Sequence, residues 1–214
     1  MSDFYEYTDK ALKYLRRYFI RQFQNTEMMI QADSLNVIPQ TVELYDDLYS
    51  ETIRVFMLIA KWKYKECGGT DTLEMAWLMG LLKESNPLTG YIFMNDEDRK
   101  RQYYTEGILS GAADYVFGKQ RIPASVVKRE SKKALRYLYG SVKQYADIVT
   151  DEAAMQAFTD TNTEFVEYIT AKDENVCEVC SPRDGKNYPL ANAPKLPAHY
   201  NCRCFYRKVK KSAT

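Results

Sequence analysis

Apolar side chains recur every three or four residues along the first three quarters of the chain, the spacing that gathers them on one face of an α-helix. The first series runs from Phe4 to Met28 and predicts a helix that ends near Asp33. The polar, Pro-containing joint DSLNVIPQ follows it. A second series, from Val42 to Ala60, predicts another helix, which ends where Cys67 is followed by two glycines.

The same periodicity predicts three more helices. A short one covers TLEMAWLMGLLK. The next is expected to begin at Asn95 as its cap, because acidic side chains follow at once and suit the first turn of a helix, and to end near Phe117. The last begins after Ile122-Pro123, is rich in basic and aromatic residues, and continues through DEAAMQAF.

The last part of the chain, from Thr163, follows a different pattern. TEFVEYITA and RCFYRKV alternate apolar and polar residues, as half-buried strands do, and Arg183-Asp184-Gly185-Lys186 is a tight-turn signal. We therefore predict a mostly α-helical α+β protein, with an elongated helical body and a small C-terminal β-rich module. Residues 1–122 are expected to form a helical N-terminal region, and residues 123–214 a C-terminal domain in which a helix precedes the module.

Composition limits the classes of function open to the chain. Its 214 residues carry 30 Lys and Arg against 29 Asp and Glu, and this net charge of +1 excludes a polycation that binds nucleic acid by overall charge. The N-terminus lacks the apolar run of a signal peptide, and no stretch approaches the ~20 apolar residues that span a bilayer. We therefore expect a cytoplasmic protein without a membrane span, where clustered thiols favour metal or redox chemistry over disulfides.

Four of the five cysteines and the only histidine fall in one short segment. Cys177-x2-Cys180 is separated by eighteen residues from His199-x2-Cys202-x-Cys204. Zinc takes four thiolate or imidazole ligands, and two such pairs joined by a turn-rich loop can meet around one ion. We expect Cys177 and Cys180 to bind Zn2+ together with two of the other three residues, as a structural ion that clips the β-rich module.

Other interpretations of the cluster remain open at this point. Two disulfides would use the same four cysteines, and a redox-active Cys-x2-Cys pair would need a strand-to-helix setting that the sequence lacks. A hydrolytic zinc site would need an open coordination position and a general base, and the chain has no histidine beyond His199. We therefore predict a closed site with no catalytic residues and no enzymatic activity. Cys67, at a helix end, is interpreted as a packing residue.

Several fixed elements of this segment occur in a recognisable order. They are Thr170-Ala171-x-Asp173-Glu174-x2-Cys177-x2-Cys180, then Asp184-Gly185-Lys186, then Pro197-x-His199-x-Asn201-Cys202-Arg203-Cys204. This order resembles the C-terminal domain of the tailed-phage head morphogenesis family, the Mu F-like minor head proteins, over residues 125 to 206. Upstream, NPLTGYIFMNDEDRKR is similar to the helical N-terminal part of phage minor head proteins.

The resemblance implies a minor capsid protein of a tailed bacteriophage or prophage. Proteins of that family are present in few copies in the virion, inside the head near the portal vertex, and join the procapsid in the host cytoplasm during assembly. The implied partners are the portal protein and the capsid and scaffold proteins, and in some members the phage DNA during packaging or ejection. The family's metal-site positions correspond here to Cys177, Cys180, His199, Cys202 and Cys204.

Contact with DNA would need a local basic surface, because the net charge is near zero. A solvated helix face is the alternative explanation for such a run of charge. The candidate residues are Lys128, Arg129, Lys132, Lys133 and Arg136 on the last predicted helix, and Arg207, Lys208, Lys210 and Lys211 in the C-terminal tail. Two other functions remain as hypotheses: a zinc-ribbon-like DNA-binding protein that acts outside the capsid, and a zinc-dependent hydrolase.

Overall fold

The computed structural model describes residues 4–86, 89–90, 92–111, 121–170 and 176–209. Within these ranges the chain forms helices α1 (Glu6–Ala32), α2 (Val37–Glu66), α3 (Met75–Lys83), α4 (Phe93–Ser110) and α5 (Ala124–Asp160), followed by strands β1 (Phe165–Ile169), β2 (Asn187–Pro189) and β3 (Phe205–Lys208). The predicted fold class is confirmed: the protein is mostly helical, with a small antiparallel sheet near the C-terminus. None of the described helices is long and apolar enough to cross a membrane.

The joint between α1 and α2 is shorter than the sequence pattern predicts. Asp33 accepts a hydrogen bond from the backbone N–H of Leu35 at 3.2 Å and so caps a single 3-10 turn, Ser34–Asn36. Helix α2 then begins at Val37, inside the predicted joint. Pro39 is tolerated there, because the first turn of a helix leaves its N–H groups without intrahelical partners.

The predicted cap at Asn95 is wrong. Helix α4 begins two residues earlier, at Phe93, and the capping position is Ile92, which has no side-chain capping bond. Phe93 is fully buried, so apolar packing fixes the start of this helix in place of a polar cap. The helix ends at Ser110, and its predicted end at Phe117 lies outside the described residues.

The chain divides into two compact units. The first comprises Met1–Lys10, Phe56–Leu81 and Gln144–Thr214, and the second comprises Ala11–Val55 and Leu82–Lys143. A compact unit is not necessarily a domain that folds on its own. The domain boundary predicted after residue 122 therefore stays a prediction.

The second unit is held by aromatic packing between its helices. Phe23 of α1 meets Tyr104 of α4 edge to face, with ring centroids 5.4 Å apart, and Tyr45 of α2 packs against both rings. Tyr104 also shares a hydrogen bond of 2.9 Å with the hydroxyl of Ser131 on α5. Because a buried phenol needs a polar partner, this bond fixes where α5 lies against the cluster.

A carboxyl group is buried beside this aromatic cluster. Glu97 is only 6% exposed, and one of its oxygens accepts a hydrogen bond from Lys100 at 3.3 Å. Its other oxygen has no hydrogen-bond partner among the described residues. Burial raises the pKa of Glu97 to about 7, although Lys100 opposes the shift and nearby acidic residues add to it. Burial likewise raises the pKa of Tyr49 to about 12, with the charge of Glu97 as the second cause.

The buried carboxyl predicts a pH-dependent stability. Because the folded-state pKa of Glu97 exceeds its unfolded value of about 4.3, the folded protein holds the extra proton. The free energy of unfolding should therefore fall as pH rises from about 4 to about 7, by roughly 3 kcal/mol from this group. Glu97→Gln should flatten this part of the profile in urea titrations, whereas the exposed control Glu43→Gln should keep the wild-type slope. Equal slopes for Glu97→Gln and wild type would contradict the assignment.

The first unit contains the sheet and the last part of α5. Strand β1 is central, with β2 and β3 antiparallel on its two sides. Val166 and Tyr168 of β1 are fully buried, as the predicted alternation requires, and Tyr168 lies opposite Tyr206 of β3. These side chains form one apolar cluster with Phe158 of α5 and with three of the cysteines. Three of the four cysteines predicted as ligands therefore belong to the core of this unit, and Cys177 packs against it.

Candidate metal centre

The first ligand pair lies on a tight turn after β1. The backbone N–H groups of Cys180 and Ser181 both donate to the carbonyl of Cys177, at 3.1 and 2.9 Å. Pro182 then lies in a short 3-10 helix, Ser181–Arg183, which suits its fixed backbone angle. This turn brings the two thiols of Cys177 and Cys180 to the same side of the backbone.

The second group lies on the loop before β3. The N–H of Cys202 donates to the carbonyl of His199 at 3.1 Å, which closes a turn. Asn201 within it has a φ of 56°, a left-handed conformation that asparagine adopts more readily than most residues. Strand β3 begins only at Phe205, two residues after the start of the predicted strand segment RCFYRKV. Cys202 and Cys204 are nevertheless both buried, because the loop itself packs into the core.

The two groups converge on Cys180. The ligand atoms of Cys177, Cys180 and His199 all lie within 4.8 Å of one another, and the same holds for Cys180, Cys202 and Cys204. The Sγ atom of Cys180 is 3.2 Å from Nε2 of His199 and 4.0 Å from Sγ of Cys202. Ligand atoms on one tetrahedral zinc ion would be roughly 3.5–3.8 Å apart. The five predicted residues therefore form a cluster that could hold a metal ion, and all of its cysteines are free thiols.

The imidazole of His199 is oriented for metal binding. Its Nδ1 atom lies 2.9 Å from the carbonyl oxygen of Tyr200. Because a carbonyl oxygen can only accept, we assign the proton to Nδ1. This leaves the lone pair on Nε2 directed at the thiols, in the arrangement that protein ligands of metal ions commonly adopt.

Hydrogen bonds between neighbouring thiols separate their proton affinities. A hydrogen bond from Cys204 lowers the pKa of Cys202, although burial opposes the shift. The same bond, together with burial, raises the pKa of Cys204, and burial raises the pKa of Cys180. Among the buried thiols of this cluster, Cys202 is therefore the one that ionises most readily. This favours metal binding at Cys202, because metal ions bind the thiolate form.

Sequence reasoning missed a phenol that contacts the cluster. The Tyr168 hydroxyl donates to Sγ of Cys180 at 3.3 Å, and the Tyr168 ring meets Tyr206 edge to face at 5.5 Å. The alternation along β1 could have placed this side chain inside, but it could not have shown which thiol it reaches. A hydrogen bond to a thiolate ligand fixes the orientation of that ligand.

The turn that follows the first ligand pair is fixed by residues that also carry the family resemblance. A carboxylate oxygen of Asp184 accepts hydrogen bonds from the N–H and the hydroxyl of Thr170, at 2.9 and 3.0 Å. Gly185 has a φ of 71°, and its N–H donates to the carbonyl of Tyr168 at 2.8 Å. Such a left-handed position strains residues with a Cβ atom. These contacts tie the turn to β1 and thereby position the Cys177-x2-Cys180 pair.

Residues at the start of the chain also contact the cluster. The buried hydroxyl of Tyr5 lies 2.7 Å from Oδ1 of Asp151 and 3.0 Å from the carbonyl oxygen of Cys204. The guanidinium of Arg203 lies 4.6 Å from the centroid of the Tyr5 ring and forms a two-pronged ion pair with Asp9, with both bonds at 3.1 Å. We call these contacts, together with those of Phe4 described next, the N-terminal clamp. No local pattern of residues predicted these contacts.

Phe4 completes the N-terminal clamp. Its ring stacks on Phe205 of β3, with centroids 4.5 Å apart. On another side it meets the ammonium group of Lys63, which is fully buried, lies 3.6 Å from the ring centroid, and is paired with Glu66. Burying a lysine is costly unless its charge is compensated, and here the ring, the Phe4 carbonyl and Glu66 compensate it.

The residues predicted to contact DNA differ in how far their charges are neutralised. Lys128, Lys132 and Arg136 are exposed on α5. Arg129 and Lys133 are also exposed, but they pair with Glu130 at 2.8 and 3.8 Å.

Two of the DNA-contact candidates in the C-terminal tail form contacts within the first unit. Arg207 pairs with Glu167 across the sheet at 2.8 Å, and Lys208 donates to the hydroxyl of Thr161 at 3.2 Å. Lys210 and Lys211 lie outside the described residues. The predicted role of these tail residues in DNA binding stays a prediction.

Comparison of the chain with protein-family models, with curated proteins and with solved structures found no match in any of the three.

Proposed function

We propose that Cys177, Cys180, His199 and Cys202 bind one structural Zn2+ ion. The position of Cys180 carries this proposal, because its sulfur lies near both ligand groups and at 4.0 Å from Sγ of Cys202. That separation is close to the ~3.8 Å expected for two thiolates on one tetrahedral zinc ion. Cys204 then remains a buried thiol beside the ion, in contact with Cys202.

The ligand set favours a structural role for the ion over a hydrolytic one. Of the four proposed ligands, Cys180 and Cys202 are each 1% exposed, and Cys177 and His199 are half-buried. A catalytic zinc keeps one coordination position open to water and substrate, whereas four protein ligands close the site. In a module whose described strands contain only three to five residues, such an ion would supply folding energy that a small core cannot.

The protein is proposed to act as a minor capsid protein in head assembly of a tailed phage. Support comes from the ordered sequence signature that resembles the Mu F-like family. The residues of this signature that the structure describes surround one site. Asp184 and Gly185 fix the first ligand turn, and Arg203 joins the second to the N-terminal clamp. In this proposal the metal-clipped module serves as a rigid attachment element near the portal vertex, and the ion takes part in no reaction.

Association with the portal tests this function directly. The chain should co-sediment with procapsids assembled with the portal protein of the same genome, in fewer copies than the major capsid protein. Procapsids assembled without the portal protein are the matched control and should leave it in the supernatant. Absence from both kinds of particle would overturn the proposed function without affecting the zinc proposal, which rests on metal content.

A further inference from the structure

An acidic face lies on the first half of α2, in the second unit. Its members are Glu43, Asp46 and Asp47, which are three and four residues apart and therefore share one side of the helix. All three are exposed, and none forms an ion pair with any residue that the structure describes. No Lys, Arg or His occurs between Arg21 and Arg54, and Arg54 itself pairs with Glu51 at 2.6 Å. The negative charge of the acidic face is therefore not offset by its neighbours in sequence.

A basic face lies on the first half of α5, in the same unit. Its members are Lys128, Lys132 and Arg136, which follow one another at intervals of four residues. All three are exposed, and within the described part of the chain none of them forms an ion pair. Glu130 lies between them in sequence, but it is buried and pairs with Arg129 and Lys133. The described residues of one copy therefore leave the charge of the basic face uncompensated.

Like charges lie about one helical turn apart on both faces. Glu43 and Asp47 are separated by four residues. Lys128 and Lys132 have the same spacing, at which like charges destabilise a helix. Four residues rise about 6 Å along a helix, so the charges of the two faces repeat at the same interval. Two such helices laid side by side would bring cations next to anions and relieve the repulsion on both.

Large apolar side chains are exposed beside both faces. Leu35 is 84% exposed and Ile38 is 56% exposed, shortly before Glu43 in the chain. On α5, Tyr137 is 60% exposed and follows Arg136 directly. Aromatic residues are enriched in protein–protein interfaces, and a protein partner, unlike a phosphate backbone, can cover apolar side chains. Because the net charge is only +1, overall charge adds little repulsion between copies of the chain.

We propose that the acidic face of one copy of this chain binds the basic face of a second copy. The two faces are opposite in charge, and every copy carries both, so one chain supplies both halves of the contact. Because the two faces differ, the contact is heterologous and can join more than two copies. This self-association goes beyond the proposed function, since it needs neither the portal protein nor zinc.

Sedimentation velocity of the purified, nuclease-treated, full-length protein tests this proposal. At low KCl the average mass of the wild type should rise with protein concentration, and high KCl should abolish the rise, because salt screens exposed charges. The acidic-face variant Glu43→Lys with Asp47→Lys should lose self-association, because like charges would then meet at the contact. The basic-face variant Lys132→Glu with Arg136→Glu should lose it for the same reason.

A combined variant with all four reversals separates the contact from the effect of net charge. Its net charge is again +1, because the reversals of opposite sign cancel, and its two faces are again opposite in charge. It should therefore regain self-association. The matched control is Glu84→Lys with Glu106→Lys, which changes the net charge as much as the acidic-face variant does, at two exposed positions of the second unit outside both faces. This control should keep self-association.

Each outcome decides the proposal. A wild type that stays monomeric at low KCl overturns it, as does self-association that the acidic-face or basic-face variant retains. An equal loss in the control also overturns it, because net charge alone would then govern association. A folded combined variant that stays monomeric overturns the pairing of these two faces. Circular dichroism reports the folding of each variant, and should a reversal unfold the chain, the milder pair Glu43→Gln and Asp47→Asn must weaken self-association in its place. Portal co-sedimentation reports separately on the proposed function.

Discussion

Replacing Cys180 by serine is expected to abolish zinc binding and to unfold the C-terminal module. Cys180 is the residue that both ligand groups share, and serine cannot replace a thiolate as a zinc ligand. Structural zinc supplies roughly 10–16 kcal/mol of apparent binding free energy in small zinc domains, so the loss of one ligand should cost several kcal/mol. Metal analysis under reducing conditions should find one zinc per wild-type chain and none in the variant, whose melting temperature should fall steeply.

Cys67→Ser is the matched control for this experiment. Cys67 is half-buried, packs against the same apolar cluster, and belongs to neither ligand group; burial raises its pKa to about 11. We expect it to keep the zinc and to lose no more than about 1–2 kcal/mol. Cys204→Ser should likewise keep the metal, whereas Cys202→Ser should lose it. Wild-type protein without zinc, or equal melting temperatures for the Cys180 and Cys67 variants, would refute the metal site.

Tyr5→Ala, a substitution just before α1, is expected to be strongly destabilising. The side chain is fully buried, and truncating a buried aromatic residue costs about 3–5 kcal/mol. It would also remove the hydroxyl that contacts Asp151 and the Cys204 carbonyl, leaving buried polar groups without this partner. Urea unfolding, monitored by fluorescence, measures the change.

Two further variants separate the parts of this effect. Tyr5→Phe keeps the ring and removes only the hydroxyl, so it should cost about 1–3 kcal/mol. Tyr137→Ala removes a tyrosine ring that is 60% exposed on α5 and should change the free energy of unfolding by less than about 1 kcal/mol. If Tyr5→Ala were no more harmful than Tyr137→Ala, the N-terminal clamp would have no energetic importance.

Local sequence patterns predicted those helices and strands that the periodicity of apolar residues determines. Helical periodicity identified the five described helices because each buries one continuous face, and the continuation of the last helix through residue 158 is confirmed by α5. Alternation of apolar and polar residues identified β1 and β3, because every second side chain of a strand lies on the same face. Strand β2 was missed because it has only three residues and ends in proline. Asn95 has the chemistry of a cap, but burial of Phe93 determined where α4 begins.

The candidate site was predictable only in part. Spacing alone identified the five Cys and His residues, because structural zinc sites typically take their ligands from two closely spaced pairs. The role of Cys180 as the shared member depends on how two loops pack, which spacing does not encode. Tyr5 and Cys204 are 199 residues apart along the chain, and no local pattern connects positions so distant. The pairing of Arg207 with Glu167 likewise follows from strand register, not from the sequence of the tail.

The N-terminal clamp also sets an order of events during translation. Cys204 is added 199 residues after Tyr5, which at roughly 5–20 residues per second takes about 10–40 s. Throughout this interval the nascent chain carries Phe4 without Phe205 and Tyr5 without the Cys204 carbonyl. Phe4 and Tyr5 therefore reach their final packing only once the growing polypeptide has delivered β3.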